Sequence, residues 1–256
     1  MLSPDAAYSP WVLAIAFALL LAALAINAII KDRREFKRFS RYRSSKRRRR
    51  TMRKWLIQSL ALFGTSSIVL LVLSWQYVPL LLADFNSWGW VTDARGTFDA
   101  NATLSWSIVI ALVVIIFGGA VAAIIAVRNE TDIPSIGDIQ AMLPRNRKEL
   151  PYGAALSINA GVVEELLFRL AMPAVIYGFT GNVVIAVVVS IVIFGVLHAY
   201  QGIAGIVGTM LIGAVFMALY LVSQNILVPI VVHALFDLRS LVLIPMIIHK
   251  VHWDRN

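Results

Sequence analysis

Between Pro151 and Ile248 the chain carries only seven side chains of the Asp, Glu, Lys, Arg and His types: Glu164, Glu165, Arg169, His198, His233, Asp237 and Arg239. Two of them are adjacent glutamates inside an apolar stretch, Val162-Val163-Glu164-Glu165-Leu166-Leu167-Phe168-Arg169. A charge at mid-bilayer costs about 2.5–3.5 kcal/mol even on insertion scales. Such groups are not carried for stability, so they point to one polar site in an otherwise oily bundle.

Hydrophobic residues are 59% of the 256 and charged residues 14%, with a mean hydropathy of +0.79. That balance excludes a soluble domain. About twenty apolar residues cross a bilayer as a helix. Seven windows qualify, near 10–30, 56–82, 104–127, 151–179, 182–199, 203–223 and 226–248. The expected fold is all-α, a polytopic transmembrane helix bundle of about seven spans. The first three spans contain no Asp, Glu, Lys, Arg or His and read as scaffold. Residues 1–150 are therefore taken as an N-terminal scaffold and 151–248 as a four-helix catalytic core. The chain has no cysteine, which excludes disulfide and thiolate chemistry.

Charge sets the orientation. Residues 31–54 hold fourteen Lys/Arg against Asp32 and Glu35, a net +12, so the remainder of this +9 chain sums to −3. A run such as Lys46-Arg47-Arg48-Arg49-Arg50 could suggest nucleic acid. In a short segment tethered between spans it reads instead as a cytoplasmic loop touching anionic lipid, with no nucleic-acid partner. Loop 31–54 inside places the N-terminus outside and the C-terminus inside, in an integral, multi-pass protein of the cytoplasmic membrane. Pro173, four residues after Arg169, should leave the Arg169 carbonyl free and kink the helix. Pro229, four residues before His233, could do the same.

Glu165 and Arg169 are i,i+4 neighbours, an orientation that favours an ion pair. Glu164 is rotated about 100° away, so the two carboxylates take different roles: Glu165 pairs with Arg169, and Glu164 points into a cavity. His198 follows Phe194 at i,i+4. His233 and Asp237 have the same spacing, in which a carboxylate can orient an imidazole or share a ligand set. There is no H-E-x-x-H for a thermolysin-type zinc site. A carboxylate with two histidines remains. It can activate water as a general base with histidine assistance, or hold a divalent metal through Glu164, His198, His233 and Asp237.

These residues resemble a known family. E-E-x-x-x-R (Glu164 to Arg169), F-x-x-x-H (Phe194 to His198) and H-x-x-x-N/D (His233 to Asp237) look like the three motifs of the CAAX-processing and bacteriocin-immunity (CPBP or Abi) family, which includes the type II CAAX prenyl proteases. Order and spacing match over roughly residues 145–240. Ala160-Gly161 before the glutamates and Ile226 to Ile230 before His233 are also similar. The resemblance implies intramembrane endopeptidase activity on a membrane-embedded or membrane-proximal peptide. Glu164 with His198 would activate water. His233 and residue 237 would stabilise the oxyanion, and Glu165 with Arg169 would orient the site. Position 237 is Asp where the prenyl proteases carry Asn, and an ionised Asp donates no hydrogen bond.

The expected activity is therefore a glutamate-type intramembrane protease with no required cofactor, zinc being the alternative. A catalytically silent scaffold or immunity-type binding protein is the competing reading. A proton-coupled transporter is a third, disfavoured by the lack of inverted repeats.

Overall fold

The computed structural model describes residues 1–27, 33–101 and 140–248, with isolated positions between 103 and 125. The described residues are helical or connecting, with no strand among them. The helices are α1 (Ser9–Ile26), α2 (Arg33–Ser40), α3 (Ser45–Ser74), α4 (Tyr77–Asn86), α5 (Gly89–Ala100), α6 (150–180), α7 (Val183–Leu197), α8 (Gly202–Ser223) and α9 (227–248). Among the described residues, four helices are long and apolar enough to cross a membrane: Ser9–Ile26, Ser45–Ser74, Ala199–Ser223 and Leu227–Ile247. Val183–Leu197 is apolar but shorter. The expected 104–127 span lies largely outside the described residues.

Two expected elements differ. The 56–82 window is two helices, because Pro79 cannot donate to the carbonyl of Trp75 four residues back and its ring clashes there. The Trp75 carbonyl instead accepts from Val78 N at 3.2 Å in a turn. The basic segment 31–54 is not a loop: it holds α2 and the first turns of α3.

That segment is folded onto the protein by one of its arginines. Arg48 is only 1% exposed. Its Nε lies 3.0 Å from Oε2 of the fully buried Glu149, and its Nη1 and Nη2 donate to the carbonyls of Ala141 and Leu143. Its guanidinium stacks 4.2 Å from the Phe39 ring centroid. Glu149 also accepts from Arg145 N and Asn146 Nδ2. The residue just before α6 is thereby clamped to the start of α3.

α6 organises the rest. Its first part, Leu150–Glu165, packs on α9 and α3, and its last part, Met172–Thr180, packs on α1, α4 and α7. A π-helical turn, Leu166–Ala171, joins them. Met172 N–H donates to Leu167 O, five residues back. In that register Pro173 faces the carbonyl of Phe168, which it cannot serve. Ser190 Oγ on α7 donates to the Phe168 carbonyl instead. Proline thus leaves a carbonyl needing a partner as expected, but at Phe168 rather than Arg169. Pro229 lies in the first turn of α9, where a missing N–H costs no helical bond; it makes no kink.

Candidate active site

The site lies where the π turn of α6 meets α7, α8 and α9. Gly161 lets α6 and α9 touch, since a Cβ there would meet Ala234 backbone at 2.9 Å. One turn on, that close approach brings Glu165 against His233. Glu165 is fully buried and joins two partners. Its Oε1 accepts from His233 Nδ1 at 2.7 Å, and its Oε2 lies 3.1 Å from Arg169 Nε. The expected Glu165–Arg169 pair is present. The histidine sharing the same carboxylate was not anticipated.

Arg169 is 1% exposed. Its guanidinium carbon sits 4.2 Å from the Phe194 ring centroid and 5.6 Å from that of Phe216. Its Nη2 donates to the Gly213 carbonyl at 3.4 Å, while Nη1 finds no hydrogen-bond partner among the described residues. Glycine at 213 is required by space: a Cβ would lie 2.8 Å from Phe194 Cδ1. The small residues of α8 therefore admit Arg169 and Phe194 as well as packing helices. Phe216 lies with its ring centroid 4.9 Å from that of His233, at 30°. Phe216 belongs to no spacing pattern with the motifs, and Gly213 stands out in the sequence only as one of several small residues suited to close helix packing.

His198 caps the end of α7. Its Nδ1 is 2.8 Å from the Phe194 carbonyl. A carbonyl only accepts, so Nδ1 carries the proton and the neutral ring has its lone pair at Nε2. Phe194 lies against the same ring at 5.0 Å. The F-x-x-x-H spacing thus fixes both the tautomer and the ring plane.

Glu164 behaves differently from its neighbour. It is half-buried and accepts no hydrogen bond from a described residue. It interacts electrostatically with His233, Asp237, Glu165 and Arg169. His198 is likewise half-buried and interacts with His233 and Arg169. Asp237, 29% exposed, places Oδ2 3.7 Å from His233 Nε2. That is ion-pair range but too long for a hydrogen bond. The predicted residues divide into a buried framework of Glu165, Arg169 and His233 and a more open set of Glu164, His198 and Asp237. Among the described residues, no three His, Cys, Asp or Glu side chains are grouped to hold a metal ion. Nδ1 of His233 is committed to Glu165, which leaves Nε2 as the ring nitrogen open to another partner.

Residues 146–239 match the protein-family model described as Type II CAAX prenyl endopeptidase Rce1-like. Over this segment the chain is similar to that family. The matched range contains all three motifs and agrees with the CAAX-protease resemblance of the sequence. At family level it supports an endopeptidase of CAAX type, a hydrolase in an apolar helical protein. No curated protein and no solved structure matches the chain.

Proposed function

We propose that this protein is an intramembrane endopeptidase that hydrolyses a peptide bond of a membrane-associated protein or peptide. The observation that carries the reading is the contrast between neighbours. Glu165 is committed to Arg169 and His233, while Glu164, one residue away, is free of described hydrogen bonds. A base must be unengaged to take a proton.

In this reading Glu164 removes a proton from water as its oxygen attacks the scissile carbonyl carbon, and His198 holds that water through Nε2. The carbonyl oxygen becomes an oxyanion. His233 in its doubly protonated form keeps Nδ1–H on Glu165 and offers Nε2–H to the oxyanion. Glu164 then returns its proton to the leaving nitrogen as the C–N bond breaks. Asp237 faces the Nε2 edge of His233 and orients the ring. No metal takes part. Residues 151–248 form the catalytic unit and 1–150 its scaffold. Exposed basic residues of 31–54 outside α2, among them Arg47 and Arg50, rest on anionic lipid on the cytoplasmic side, each contributing about 1 kcal/mol.

The test is Glu164→Gln in purified, folded protein. Gln keeps the shape but accepts no proton, so hydrolysis of a membrane-tethered peptide should fall by about 10²–10⁴-fold. Cleavage at the wild-type rate would remove Glu164 as the base. Total absence of cleavage by the wild type would favour the silent-scaffold reading.

A further inference from the structure

Beside His198 lies a groove of about 260 Å³ that the catalytic arrangement does not use. One wall is α2, through Phe36, Lys37 and Ser40; the other is the turn 199–202, through Tyr200 and Gln201. The volume lies just below the roughly 300–1,000 Å³ of small-molecule sites, a size suited to a short segment of chain.

The groove is built rather than incidental. Phe36 and Tyr200 close it with ring centroids 5.4 Å apart, and Gln201 Nε2 donates to the Tyr200 hydroxyl at 2.9 Å. Glu35 fastens α2 from behind by accepting from Lys54 and Trp55. The only acid of α2 is thereby turned away from the groove. Lys37 is exposed on the groove side and pairs with no carboxylate among the described residues. The neighbouring Arg34, Arg38 and Arg41 are exposed too and add to the positive charge of this part of the chain.

Tyr200 also faces the catalytic histidine, with ring centroids 5.9 Å apart. The two ring-to-ring steps together span about three residues of extended chain at ~3.4 Å each. A substrate whose scissile bond lies at His198 would place its next few residues between α2 and Tyr200.

The geometry points to this groove as a specificity subsite that accepts an acidic side chain of the substrate within about three residues of the scissile bond, with Lys37 as its counter-charge. The inference rests on the endopeptidase reading and adds the substrate's charge class. The aromatic walls hold the chain, and Lys37 selects acidic over neutral or basic side chains.

The experiment uses the full chain in lipid nanodiscs and a set of tethered peptides. Asp, Asn or Lys is placed in turn at each of the three positions on either side of the cleaved bond. At one or more positions the wild type should prefer Asp in kcat/KM, mainly through KM. Lys37→Ala should narrow the preference by about three- to five-fold, as suits an exposed charge pair, and Lys37→Glu should reverse it. The Asn peptide should be cleaved equally by all three. Raising the salt concentration should erode the Asp preference. Binding of the same peptides to the Glu164→Gln variant, read by fluorescence anisotropy, gives the order without hydrolysis. Equal cleavage of Asp and Asn peptides by wild type and Lys37→Glu would overturn the subsite and leave the protease reading standing. Lys37-dependent binding of Asp peptides with no cleavage would do the reverse. If Lys37→Glu alters only association with anionic vesicles, the groove serves lipid and the inference fails.

Discussion

Nδ1 of His233 lies 2.7 Å from Oε1 of Glu165, a residue 68 positions earlier on another helix. The second oxygen of the same carboxylate lies 3.1 Å from Arg169 Nε. One buried acid therefore sets the tautomer and direction of an imidazole and neutralises a buried guanidinium. Glu165→Gln should keep the shape and lose the charge. Removing such an orienting partner commonly costs about 10–100-fold in activity. The loss should fall on kcat with KM little changed, as measured by steady-state cleavage. An unaltered kcat would show that His233 does not depend on this contact.

Arg169→Ala should lower folded yield as well as activity. It leaves Glu165 buried with one partner and removes the cation stacked on Phe194. Breaking a buried pair this way costs about 3–5 kcal/mol. Arg169→Lys should restore only part of the loss, because an ammonium lacks the planar face that lies on Phe194 and the fork that reaches Gly213. Thermal melting in detergent reads both, and a wild-type melting temperature for Arg169→Ala would mean the pair is dispensable.

The basic segment makes a sharper forecast than its composition suggests. Arg48→Ala should destabilise the protein by about 3–5 kcal/mol, since it leaves the fully buried Glu149 without its cation. Arg47→Ala and Arg50→Ala, at exposed positions, should stay within about 0.5 kcal/mol. Parallel melts of the three variants decide it: equal behaviour would mean the Arg48 clamp contributes nothing special.

Reporter fusions at Ser44 and at Asn256 should both signal the cytoplasmic side, if the positive-inside rule governs residues 31–54. Opposite answers would break the seven-span arrangement.

Cleavage should continue in a strong chelator, and purified protein should contain no stoichiometric zinc. Activity lost to the chelator and regained with Zn²⁺ would recast Glu164, His198, His233 and Asp237 as ligands and overturn the glutamate mechanism.

Much of the site was legible because its chemistry sits on i,i+4 spacings within single helices. Glu165–Arg169, Phe194–His198 and His233–Asp237 are all of that kind, and in an apolar background seven ionisable side chains are easily noticed. Contacts between helices leave no such trace. Nothing local says that Glu165 also meets His233, or that Gly213 makes room for Arg169. Proline chemistry was read in the right place but the wrong register: α-helical counting assigns the orphan carbonyl to Arg169, and the π turn moves it to Phe168. The basic segment misled through averaging. Fourteen cations suggest solvated loop, and no feature of the run distinguishes Arg48, which is buried, from Arg47, which is not.

Sharing one carboxylate between two helices also restricts how this site can change over generations. Substituting Glu165 alone strands Arg169 and unanchors His233. Substituting Arg169 or His233 alone leaves the acid half-answered in the interior. An inactive descendant with an apolar interior here would have to replace all three, passing through poorly folding intermediates. A descendant that merely loses Glu164 faces no such barrier. The accessible route to a silent relative therefore runs through the one unencumbered glutamate, with the buried trio kept intact as a relic of the activity.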